Sequence, residues 1–194
     1  VTDASGADAS GADASGAALV AELTEAGETL ACAESLTAGL VAATVADTPG
    51  ASNVLRGGVV AYATDLKTSL LGVPADLLER VGTVDAGVAA AMAEGVRERL
   101  EATWGVATTG VAGPGPAEGK PAGTVHVAVA GPSGTATRLL RLNGTRAQVR
   151  AGTVAAVLAL ALEETRATHR TAAPVAEPRG TVGLSTPGAP GTDH

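Results

Sequence analysis

Aromatic side chains are almost missing from this chain, which has no Phe, one Tyr and one Trp in 194 residues. Binding of single-stranded DNA or RNA uses several rings as stacking platforms, and Tyr62 and Trp104 cannot supply a series of them. Basic residues are also short, 13 Lys and Arg against 20 Asp and Glu, for a net charge of −7. A phosphate-backbone binder carries the opposite sign, so no nucleic-acid partner is expected. Cys32 is the single cysteine, which excludes an internal disulfide and a thiolate zinc site. His126, His169 and His194 show no ligand spacing of the His-x-x-x-His kind, so neither a metal nor another cofactor is expected. No apolar run approaches the ~18 residues needed to cross a bilayer, and no basic-then-apolar leader is present. The expected location is cytoplasmic, away from membranes.

What remains is apolar without being aromatic. Ala, Val, Leu and their like make up 45% of the chain, so small side chains must pack the core and helices can lie close to a sheet. Residues 1–16, with two copies of Gly-Ala-Asp-Ala-Ser, read as a disordered low-complexity arm. Residues 168–194, rich in Pro, Gly, Thr and Ala, read as a disordered tail. The body, 17–167, alternates in type. Helices are expected at 17–26, 37–46, 65–71, 74–80, 85–101 and from Thr145 to about 164, strands at 29–33, 57–62 and 105–109, and a hairpin at 123–130 and 135–142. Gly27 closes the first helix, Asp85 caps the fifth, and Thr145 with Gln148 forms a capping box for the last. The pattern is mixed α/β, with helices covering a sheet that holds at least one antiparallel pair.

Three polar segments follow β-like runs: Ala33-Glu34-Ser35-Leu36-Thr37-Ala38-Gly39, Tyr62-Ala63-Thr64-Asp65-Leu66-Lys67 and Thr109-Gly110-Val111-Ala112-Gly113-Pro114. Strand ends gather along one sheet edge in such folds, which brings hydroxyls, a phenol, an amine and glycine-freed amides into one crevice. That set suits acyl or amide chemistry on a small polar substrate. Ser35 or Thr37 is equally readable as a helix N-cap, and the free amides of that helix start would attract an anion or an oxyanion. Glu34, an acid beside a buried strand, needs a partner. A Ser–Lys pair, here Ser52 with Lys67, works as nucleophile and base only where the ammonium is kept deprotonated, and the Tyr62 phenol can relay the proton. The Gly110–Gly113 loop lacks both the Walker and the dinucleotide patterns. Arg146, at the first turn of the last helix, sits badly with the helix dipole unless an anion binds there. A solvent-facing Arg explains it as well. Cys32 and Trp104 read as packing residues.

In their order these motifs resemble the CinA C-terminal domain family. They run Ala33-Glu34-Ser35-Leu36-Thr37, Gly50-x-Ser52, Gly57-Gly58-x-x-x-Tyr62-x-x-x-x-Lys67, Thr109-Gly110-x-Ala112-Gly113-Pro114, Lys120-Pro121-x-Gly123-Thr124-Val125 and Gly144-x-Arg146. The enzymatic members of that family are nicotinamide-nucleotide amidohydrolases, which deamidate nicotinamide mononucleotide. The resemblance implies a three-layer α/β/α sandwich with a mixed sheet, a small nucleotide substrate, and a homodimer by analogy. It implies Ser52 as nucleophile with Tyr62 and Lys67, and Ser35, Thr37, Thr109, Gly110, Gly113 and Arg146 around the substrate. Ser35 is the alternative nucleophile, and Ser52 is preferred for its spacing to Tyr62 and Lys67. The chain departs from the family pattern at Ala38, Ala51, Leu55 and Thr145, the last where an Asp commonly precedes the Arg. A non-catalytic nucleotide-binding or regulatory module of the same fold is the competing reading.

Overall fold

A computed structural model describes residues 9–172. Small side chains set the architecture. Along the strands, alternate residues point to opposite faces, and here the two faces differ in bulk. One face carries Leu30, Cys32, Val106, Val125, Val127 and Val129, and the other carries Ala31, Ala33, Ala107, Ala128 and Ala130. The five strands are β1 (Leu30–Glu34), β2 (Leu55–Val60), β3 (Trp104–Gly110), β4 (Thr124–Gly131) and β5 (Gly134–Arg141). They form one sheet in the order β2-β1-β3-β4-β5. β2, β1 and β3 run parallel, while β3, β4 and β5 alternate in direction. The sheet is mixed, as read from the hairpin.

Helices cover both faces. On the Val/Leu face lie α1 (Ala9–Ala26), α2 (Leu40–Ala46) and α6 (Arg146–Ala172), contributing Leu19, Leu23, Val41, Val45, Val157 and Leu158. On the alanine face lies α5 (Ala86–Arg99), with α3 (Thr64–Leu71) and α4 (Ala75–Val81) beside it. α5 buries Val88, Met92 and Val96, and its start is held by Asp85, whose carboxylate accepts from the Gly87 N–H at 2.7 Å. The alanine face lets α5 approach the sheet very closely. A β-carbon at Gly105 would overlap the Ala93 carbonyl oxygen of α5, and α3 lies as close to α5, since a β-carbon at Gly95 would overlap the Leu71 carbonyl. Three layers result, α/β/α.

Both ends of the body are longer than the sequence suggested. α1 begins at Ala9, so the repeat region from 9 to 16 is helical where a disordered arm was expected. Its Ala and Gly residues let it lie along α6: Ala12 is buried, and the Gly16 backbone faces Leu158. α6 in turn continues to Ala172, beyond the expected stop near 164 and into the expected tail. Its last turns are tied down rather than free. Arg166 reaches Glu22 at 3.1 Å, and His169 lies between Glu22 and Glu28, which also accepts from the Trp104 indole. Residues 1–8 and 173–194 of the expected arm and tail lie outside the described residues. Thr145 and Gln148 form the reciprocal capping box at the start of α6, with bonds of 2.8 and 3.3 Å.

Among the described residues, no helix is long and apolar enough to cross a membrane.

Candidate active site

Parallel strands put their carboxyl ends on one edge, and β5, antiparallel to β4, points the same way as β3. The segments that follow β1, β2, β3 and β5 therefore converge. They supply Ser35, Tyr62, the Gly110–Gly113 loop and Arg146 to one cavity of about 340 Å3. Leu36, Thr83, Val84 and Glu118 complete much of its wall.

The Lys67 ammonium nitrogen lies behind this cavity. Lys67 comes from α3 and is 1% exposed, an extreme for a lysine. Its Nζ lies 3.2 Å from Ser35 Oγ and 2.8 Å from the Ala61 carbonyl, with the Tyr62 carbonyl at 3.5 Å. Burial pushes its pKa below the ordinary lysine value, and the Glu118 charge acts in the opposite direction. Removal from water favours the neutral amine. A buried amine in contact with a serine hydroxyl in the wall of a cavity is the arrangement that can deprotonate a nucleophile.

Ser52 is not part of it. This residue sits in a short 3-10 turn, Ala51–Asn53, before β2, at the opposite edge of the sheet, and it is exposed. Leu55 pairs with Leu30 and Val60 with Glu34, so the length of β1, about 13 Å at ~3.3 Å per residue, separates Ser52 from Ser35. The expected Ser52–Tyr62–Lys67 set is corrected to a Ser35–Lys67 contact. Tyr62 is also placed differently from its expected relay position. Its phenol oxygen accepts from Arg146 Nη2 at 2.7 Å, and only its backbone carbonyl approaches Lys67. Tyr62 forms a wall of the cavity and orients the arginine.

Thr37 and Thr109 are buried and do not line the cavity. Thr37 Oγ1 pairs with Thr108 Oγ1 at 2.8 Å, and the Thr109 hydroxyl donates to the Thr83 carbonyl at 2.6 Å. Both hydroxyls brace the framework around the site. Arg146 does reach the cavity, donating also to the Gly113 carbonyl at 3.0 Å. A guanidinium has five donors, so N–H groups remain for an anion.

Glu34 finds the partners its position demanded. Its carboxyl oxygens accept from the N–H groups of Gly39, Val41 and Ala42 at 2.8, 3.1 and 2.9 Å, and the side chain is 1% exposed. The amides of the α2 start, expected to be free for an anion, are therefore already occupied. Helix α2 begins at Leu40, not at Thr37, because Ala38 and Gly39 take positive φ angles of 51° and 97° to complete the turn under Glu34. That turn carries Ser35. Glu34→Ala would leave three inward N–H groups without an acceptor and is expected to destabilise the fold by about 3 kcal/mol. Chemical denaturation would check this, with Glu34→Gln retaining part of the loss.

Three contributors escaped the sequence reading. Arg150 donates to the Leu36 and Thr37 carbonyls at 3.0 and 2.8 Å, fixing the Ser35 turn from α6. Its spacing from Arg146, one helical turn, was the available signal. Glu118 and Thr83 meet across the cavity wall, and their loops gave no periodic signal at all. Among the described residues, no group of three or more His, Cys, Asp or Glu is placed to hold a metal ion. Cys32 is fully buried, and burial drives its thiol pKa far up, as suits a packing residue.

Residues 13–165 match the family described as CinA C-terminal domain. The chain belongs to this family. It is similar to a CinA-like protein of Frankia casuarinae, with 54% identity over 138 residues, 71% of this chain and 32% of the relative. A CinA-like protein of Gloeobacter violaceus is 53% identical over 130 residues, 66% of this chain and 30% of that relative. The chain thus spans about a third of the length of these curated relatives. Among solved structures it resembles the competence/damage inducible protein CihA from Agrobacterium tumefaciens, with a TM-score of 0.77 and 32% identity. That match covers 80% of this chain and 96% of the other. The mixed sheet between two helical layers is the CinA-type α/β sandwich expected from the motifs.

Proposed function

We propose that this CinA-family domain hydrolyses the carboxamide of nicotinamide mononucleotide to nicotinate mononucleotide and ammonia. The observation that carries this reading is the 3.2 Å contact between the buried, pKa-lowered amine of Lys67 and Ser35 Oγ, in the wall of a cavity that Arg146 also lines. With Lys67 neutral, two of its N–H bonds serve the Ala61 and Tyr62 carbonyls, and its lone pair accepts the Ser35 proton. Ser35 Oγ then attacks the carboxamide carbon. The tetrahedral adduct collapses, the C–N bond breaks, and Lys67 returns the proton to the leaving nitrogen as ammonia departs. Water, deprotonated by the same amine, releases the acid and restores Ser35.

The substrate lends itself to this chemistry. A pyridinium ring withdraws electrons from its carboxamide, so a serine activated by one amine suffices. Arg146, oriented by Tyr62 and Gly113, takes the phosphate. Fixing that distant group holds the amide over Ser35.

Purified protein incubated with nicotinamide mononucleotide, and separately with free nicotinamide, tests the reading through ammonia release. Release from the mononucleotide at a far higher rate than from nicotinamide is expected, because only the former engages Arg146. No release from either would leave a non-catalytic nucleotide-binding module as the better account.

A further inference from the structure

The cavity that Arg146 lines also carries a carboxylate in its wall, Glu118, which the proposed reaction does not use. Glu118 sits in the loop between β3 and β4, which a small bridge between Ala117 and Lys120 closes on itself. Its Oε2 accepts from the Thr83 and Val84 N–H groups at 2.8 and 3.3 Å, and its Oε1 accepts from the Thr83 hydroxyl at 2.6 Å. All three donors are neutral, and among the described residues no Lys, Arg or His makes an ion pair with it within 4.0 Å. Lys120, two residues on, turns its ammonium to the Val81 carbonyl at 3.3 Å. Glu118 is therefore a fixed negative charge on the cavity wall, held in place yet not paired. Burial raises its pKa, but the Thr83 and Val84 donors and the Lys120 charge outweigh this and hold it below the usual glutamate value. It is ionised at neutral pH.

The lining thus has one cation, Arg146, and one anion, Glu118. A ligand that matches both is a zwitterion, with an anionic group at one end and a cationic ring at the other. We propose that Glu118 is the residue by which this cavity selects a positively charged pyridinium ring over its neutral, reduced counterpart. The inference rests on reading the cavity as the site of a pyridine nucleotide. It extends that reading by assigning the charge discrimination to one side chain. A carboxylate near a ring cation at a site open to solvent gives an interaction sufficient for about tenfold in affinity. The reduced ring has nearly the same outline and no charge. Shape alone therefore separates the two poorly, and a fixed carboxylate separates them well.

The test compares nicotinamide mononucleotide with its 1,4-dihydro form as ligands of the full chain carrying Ser35→Ala, which prevents turnover, by calorimetric titration. The parent is expected to bind the oxidised ring about tenfold more tightly. Adding Glu118→Gln should weaken the oxidised ligand about tenfold and leave the reduced one within about twofold, so the preference disappears. Glu118→Asp keeps the charge while shortening the strap to Thr83, and should keep the preference even if both affinities drop. Equal weakening of both ligands by Glu118→Gln would overturn the proposal, because it would make Glu118 a strut for the loop. No preference in the parent would overturn it too, whether or not the glutamine variant folds. Ammonia release by the wild-type chain is scored separately. A chain that prefers the oxidised ring yet releases no ammonia contradicts the hydrolase reading and leaves the role of Glu118 standing.

Discussion

Ser35→Ala is expected to lower ammonia release from nicotinamide mononucleotide by about four orders of magnitude, while Ser52→Ala stays within about twofold of wild type. The contrast follows from sheet geometry. Ser35 is the first residue after β1 and sits at the edge where the parallel strands end, in contact with Lys67. Ser52 precedes β2 and lies at the other edge, exposed. A proton cannot pass between Lys67 and a hydroxyl about a strand's length away. Nucleotide binding by Ser35→Ala should survive, since Arg146, Tyr62 and Gly113 are untouched, and calorimetry with the mononucleotide would show it. Undiminished turnover in Ser35→Ala, or a large loss in Ser52→Ala, would remove Ser35 as the attacking group.

The choice between these two serines also marks where the sequence stops being informative. Periodicity and turn chemistry report on neighbours along the chain, and those features were legible. The Asp85 cap, the Thr145–Gln148 box, the Gly131–Gly134 hairpin turn and the alternation of helix and strand all appear in the structure. The convergence of the segments after β1, β2 and β3 was legible as well, because parallel strands leave no other option. Spacing between motifs, by contrast, says nothing about which edge of a sheet a residue occupies. Ser52 lies ten positions from Tyr62 and Ser35 lies twenty-seven, yet β1 and β2 are paired neighbours, so the more distant serine is the one beside the site. Composition misled at the ends for a related reason. The Ala/Gly/Ser repeat offers too little apolar surface to fold alone, but small residues are what a helix needs to lie against α6. Glu118 was invisible because its partners, Thr83 and Val84, are 35 and 34 residues away.

Lys67→Met is expected to abolish hydrolysis and, at neutral pH, to stabilise the protein. Burial lowers the pKa of Lys67 in the folded chain below its value in the unfolded chain. Below the folded value, the buried ammonium is a full cost to the fold. As pH rises from the folded toward the unfolded value, the unfolded chain holds the extra proton and the cost is relieved. Methionine has a similar length and no charge to desolvate. Against this stands the loss of the 2.8 Å hydrogen bond to the Ala61 carbonyl. A net gain of about 1 kcal/mol, a rise of a few degrees in Tm, is the expected balance. A fall in Tm would make Lys67 a structural cation held by its carbonyl partners, incompatible with a neutral base. The same titration governs rate with the opposite emphasis. kcat/KM in the wild type should rise with pH as the amine loses its proton, and level off below the pH at which a solvated lysine would. Because the Glu118 charge raises the Lys67 pKa, Glu118→Gln should move that rising limb to lower pH. On the proposed reading, a bound pyridinium would offset the Glu118 charge and so favour loss of the Lys67 proton when the amide is in place.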